Sequence, residues 1–140
     1  SNFAESFTMQ FANIAAETCE LHMAWAGVQV AVPISTNIKD RVRAQVEKAL
    51  AAETVQANTY NTAANFYYEF DKDYNNALVN ITKAVEGNKE AYWMLLLKAR
   101  IEKALGDKVS AKASAQKCID IATGKNADYV TFANELIKSL

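Results

Sequence analysis

Proline occurs once in these 140 residues, at Pro33, and glycine only four times. No Pro-, Gly- or Ser-rich linker therefore divides the chain, and no glycine-rich loop is present to cradle a phosphate. One histidine, His22, and two cysteines in different halves, Cys19 and Cys118, do not make a metal-ligand set of the usual spacing. Two free thiols are the expectation. No serine lies in a nucleophile-elbow context. Asp71 and Asp73 flank Lys72 at a turn, where capping explains them better than an acid–base role. No apolar run reaches the roughly 18 residues of a membrane-spanning helix. The 15 lysines and arginines are interleaved with 16 aspartates and glutamates, for a net charge of −1, which argues against the basic stripe of a nucleic-acid binder. With neither catalytic machinery nor a cofactor site to argue from, the chain reads as a non-enzyme without a cofactor. It opens on Ser1 rather than Met, as expected of a processed or excised polypeptide, so a leader segment is not legible.

What is present is globular: 51% of residues are hydrophobic and 22% charged. The length suits one well-buried domain, or two small ones. Residues 7–34 alternate with period two, through Phe7, Met9 and Phe11, then Cys19, Leu21, Met23 and Trp25, then Val28, Val30, Val32 and Ile34. Ala26-Gly27 reads as a two-residue hairpin loop. Pairing Trp25 with Val28 then places Met23 opposite Val30, Leu21 opposite Val32 and Cys19 opposite Ile34, with every apolar residue on one side. A loop of Asn13-Ile14-Ala15 keeps the first strand in that parity, pairing Phe11 with Glu17 and Met9 with Cys19. The Phe7/Leu21/Val30 face is expected to be buried. Three strands need a cover, either the first helix or polypeptide outside this chain. His22 falls on the other face, with Glu20 and Gln29.

After Ser35-Thr36-Asn37 the period becomes helical. Ile38, Val42, Val46, Ala49 and Leu50 form one stripe, with Asn37 as the N-cap. Further helices are expected from about Asn58 to Phe70, Tyr74 to Glu86, Asn88 to Leu105, Val109 to Ala122 and Asp128 to Leu140. Gly87, Gly106-Asp107 and Gly124 supply the stops between them. The fold class is α+β, mostly α. A short three-stranded antiparallel β-meander over 1–35, expected to end a larger β domain, precedes six helices over 36–140.

Within the helices a pattern repeats every 34 residues: Asn65 and Ala99, Asp73 and Asp107, Ala77 and Ala111, Ala84 and Cys118. Residues 58–140 thereby resemble tetratricopeptide repeats. The match runs through Tyr68, Asp73-Tyr74, Ala77-Leu78, Ile81 and Ala84, then Ala99, Leu105-Gly106-Asp107, Ala111 and Ala115. Ala77, Ala84, Ala99 and Ala111 would stand at close helix contacts. Lys89, Glu102 and Cys118 depart from the family pattern. The resemblance implies a partner-binding surface on the concave side, formed by Phe66, Glu69 and Phe70, then Trp93, Leu96, Arg100 and Lys103. That would be a peptide groove with aromatic anchors and a basic end. Alternatively, the rings crowded between Tyr60 and Trp93 pack against the helix over 38–55 and its neighbours. Thr62 and Phe66 stand where chaperone-tail-binding repeats carry Lys and Asn, which disfavours a terminal carboxylate as ligand.

A second resemblance covers nearly the whole chain. The segment from Glu5 to Phe11, the Trp25 hairpin ending Val32-Pro33-Ile34, and Ala91-Tyr92-Trp93-Met94-Leu95 before a Leu-Gly turn are similar to the C-terminal part of an exported bacterial family of unknown function. It implies export to the periplasm or cell surface and an upstream β-rich domain. Two functions are expected. One is a non-catalytic interaction or structural module with a protein or peptide partner, and a homodimer through an edge strand is also allowed. The other is an accessory part of an enzyme or ligand-binding protein whose site lies upstream.

Overall fold

The computed structural model describes residues 6–15 and 17–140; Glu5 of the segment noted above lies outside them. Three antiparallel strands, β1 (Thr8–Ala12), β2 (Thr18–Trp25) and β3 (Val28–Ser35), pair in sequence order as a meander. Six helices follow: α1 (Ile38–Leu50), α2 (Ala57–Phe66), α3 (Tyr74–Gly87), α4 (Tyr92–Ala104), α5 (Lys108–Ala122) and α6 (Ala127–Lys138).

The β2–β3 register is the expected one, from Trp25 opposite Val28 to Cys19 opposite Ile34. Ala26 and Gly27 both take positive φ, 46° and 83°, as a two-residue turn matched to strand twist requires. The β1–β2 register differs. Phe11 lies opposite Leu21 and Met9 opposite Met23, so the pairing is displaced by four residues from Phe11–Glu17 and Met9–Cys19. Asn13 turns the chain early with φ 52°, its side-chain amide donating to Glu20 Oε2 at 2.8 Å. An even displacement leaves every side chain on its face, so parity alone could not exclude it. The apolar face is nonetheless not buried. Phe7, Met9, Phe11, Trp25, Val28, Val30, Val32 and Ile34 are between 38% and 67% exposed, while Leu21 is half-buried.

The contacts divide the chain into one unit that extends through Val42 and a second from Arg43 to Leu140. The division falls inside α1 rather than at residue 35. Glu17 holds the approach to α1 within the first unit, its carbonyl accepting from the Thr36 amide at 2.9 Å and its carboxylate from the Lys39 amide at 2.8 Å. In the second unit Val46 is buried, and Arg43 pairs with the largely buried Asp71 carboxylate at 2.5 Å.

Within the second unit each helix from α2 onward packs on the next, and α4 also meets α6. Small residues make this close approach possible. Ala77, Ala84, Ala99, Ala111, Ala115 and Ala133 are fully buried, and Cys118 fills the same kind of position. Leu95, Leu96 and Leu136 complete the core of α4, α5 and α6. Asp73 and Asp107 cap α3 and α5, each accepting from the amide three residues on at 3.0 Å. Gly106 and Gly124 take positive φ of 83° and 79° where the chain reverses. Gly87 does not act as the expected stop. It is the last residue of α3, and a Cβ there would lie 2.9 Å from Ala57 Cβ, so glycine lets the end of α3 meet the start of α2. Nor does α4 begin at Asn88. Ala91 holds the N-cap position, and Asn88 Oδ1 accepts from the Glu90 amide.

Candidate interaction groove

Two adjoining hollows run along α4. The first, about 340 Å³, is lined by Asn61 and Asn65 of α2, by Trp93, Leu96, Leu97 and Arg100 of α4, and by Tyr129 and Phe132 of α6. The second, about 580 Å³, continues from Arg100 and Phe132 past Tyr68, Lys103, Ala104, Glu135 and Leu136 to Ser139. Helical spacing explains each contribution. Asn61, Asn65 and Tyr68 are four and three residues apart on one face. Trp93, Leu96, Leu97 and Arg100 make the corresponding stripe on α4, and Tyr129, Phe132 and Leu136 make that of α6.

Four of the seven site residues expected from the sequence meet here: Trp93, Leu96, Arg100 and Lys103. Three do not line either hollow. Phe66 is 4% exposed and faces the interior, with the Phe70 ring stacked on it at 6.2 Å. Glu69 stands in solvent, 4.0 Å from Lys72. The groove face of α2 is thus displaced by about one residue from Phe66–Glu69–Phe70 to Asn65–Tyr68. Residues Tyr67–Asp71 also form a π-helical turn, closed by Lys72 at φ 56°, which takes Glu69 and Phe70 out of α-helical phase. The polar stripe Asn61–Asn65 carried this signal in the sequence. Tyr129 and Phe132 were legible only by extending the groove to the last helix. Of the rings crowded between Tyr60 and Trp93, Phe66 and Tyr67 are buried, whereas Phe70 and Trp93 keep 50% and 41% of their surface exposed; Phe132 of α6 keeps 45%.

The charges are as specific as the shape. Arg100 is exposed at the junction of the hollows and makes no hydrogen bond or ion pair among the described residues. Burial pushes the Tyr68 phenol above its ordinary value, Glu69 adds to this, and the Arg100 guanidinium opposes it. Lys103 is engaged, its Nζ donating to Ser139 Oγ at 2.7 Å. Edge-on ring contacts set the aromatic wall: Tyr129 lies 5.0 Å from Tyr92 and 6.2 Å from Phe132.

Elsewhere the chemistry is self-contained. Gln29 Nε2 donates to His22 Nδ1 at 2.9 Å, which leaves the ring proton on Nε2 to be donated to Glu20 Oε2 at 2.7 Å. The bond from His22, with that from Asn13, holds the Glu20 carboxyl below its ordinary range. Both cysteines are free; burial pushes the Cys118 thiol up, which disfavours the thiolate. Among the described residues no group of three His, Cys, Asp or Glu is placed to hold a metal, and no helix is long and apolar enough to cross a membrane. A third hollow, about 410 Å³ between α3, α4 and α5, is lined by Val85, Leu95 and Ile121 with mixed charges and no aromatic ring. No protein-family model matches the chain, and no curated protein matches it significantly.

Proposed function

We propose that the chain is a non-catalytic protein-interaction module of an exported bacterial protein, in which tetratricopeptide-like hairpins present the groove between α2, α4 and α6 to a peptide. The observation that carries this reading is the groove itself. Exposed rings on two helices flank a guanidinium unpaired among the described residues, over a core already closed by Leu96, Ala99 and Ala133. Such a surface suits an extended segment with apolar side chains. The buried alanines and the capping aspartates repeated 34 residues apart support the repeat assignment. Export rests on the resemblance of the Trp25 hairpin and the Tyr92–Leu95 segment to the exported family.

Selection of displayed random peptides on the purified chain tests this. Enriched peptides should lose binding to a Trp93→Ala/Phe132→Ala variant and compete with one another. Peptides indifferent to that variant, or no enrichment, contradict it. The uncovered apolar face of the sheet favours a second reading, an accessory part of a larger enzyme or ligand-binding protein.

A further inference from the structure

We infer that the groove selects an extended segment carrying one internal carboxylate side chain beside a bulky apolar residue. This rests on the peptide-binding reading above and adds to it the charge and order of the ligand. Charge is the first argument. The side chains lining the two hollows include two cations, Arg100 and Lys103, and one anion, Glu135. Lys103 already has the Ser139 hydroxyl as acceptor, so Arg100 is the lining cation without a partner among the described residues. A single carboxylate matches it, and a guanidinium can bind one through two parallel hydrogen bonds. A phosphate dianion fits less well, because Glu135 lines the same hollow.

Position is the second argument. Arg100 lines both hollows, so chain bound at it can continue into each of them. From Trp93 to Lys103 the face of α4 is about 15 Å long at the helical rise, room for about four extended residues. Trp93 and Phe132 offer exposed ring surface to the neighbouring apolar side chain. Asn65 already donates its side-chain amide to the Asn61 carbonyl, which holds its Oδ1 in place as an acceptor for a peptide N–H.

The probes are hexapeptides acetylated and amidated at their ends, with Leu-Asp-Phe-Leu at the centre, titrated by calorimetry and NMR. A second peptide has Asn for Asp, a third phosphoserine, and a fourth keeps Asn but has a free C-terminal carboxylate. The Asp peptide should bind at least about tenfold more tightly than the Asn peptide, as a charge-assisted pair implies. Arg100→Gln should abolish that ratio while the Asn peptide binds as before. Equal binding of Asp and Asn peptides, or a ratio unchanged in Arg100→Gln, overturns the inference and leaves the interaction reading standing. Preference for phosphoserine or for the free terminus overturns it in favour of those ligands. Absence of binding by all four at millimolar concentration overturns both.

Discussion

Replacing Gly87 by alanine sets two opposing effects against each other at one contact. A helical glycine costs roughly 0.5–1 kcal/mol relative to alanine through backbone entropy, so the exchange alone would stabilise α3 by that amount. The added methyl, however, would lie 2.9 Å from Ala57 Cβ and 3.6 Å from Ala57 Cα, and no flexible side-chain end can give way. Overpacking of this kind costs about 1–3 kcal/mol. The sum is a net loss of about 1 kcal/mol, or a melting temperature lower by about 4–8 °C for a unit of this size. Ala57→Gly removes the opposing methyl, and in that background Gly87→Ala should become neutral or stabilising. The four proteins of this double-mutant cycle are compared by thermal and urea unfolding followed by circular dichroism. If Gly87→Ala stabilises the parent by the propensity gain, α3 and α2 do not meet at this point, and the α2–α3 hairpin is misassigned.

Ala111 is fully buried on α5, so Ala111→Leu should destabilise by about 1–3 kcal/mol; melts matching the parent would contradict the close helix contact. The Ser110 hydroxyl and amide hold the Asp107 carboxyl below its ordinary value. A depressed carboxylate contributes stability above its unfolded pKa and loses it as pH falls through the folded one, so Asp107→Asn should flatten the decline in melting temperature measured from about pH 5 to pH 2. An unchanged decline refutes the link. The exposed apolar face of β1–β3 should drive self-association that Phe11→Lys and Val30→Lys suppress, read by sedimentation velocity. A parent that stays monomeric at high micromolar concentration contradicts this.

Much of the fold was legible because local signals agreed with one another. Ala26-Gly27 admits one tight turn, and that turn fixed the whole β2–β3 register. The β1–β2 register was not legible, since period two distinguishes faces but not shifts of two or four residues, and the turn at Asn13 carries no comparable signature. Aspartate followed by alanine four residues on located α3 and α5, because both cap and close contact are local requirements. Burial of the sheet face was misjudged for a physical reason. Alternation states which side chains share a face, and says nothing of whether a second layer covers it. Along α4 the residues lining the hollows coincide with those the repeat selected, whereas before α3 they lie one residue from the expected ones. A difference of about 100° around a helix separates Phe66 from Asn65, and only tertiary packing decided that the phenyl ring turns inward.

The measurement closest to the central claim is an NMR footprint of a display-selected peptide on the isotopically labelled chain. Shift changes confined to Asn61–Tyr68, Trp93–Lys103 and Tyr129–Ser139 are the predicted result, with the largest at Arg100 and Phe132. A footprint on β1–β3, or one centred on α3 and α5, would contradict it.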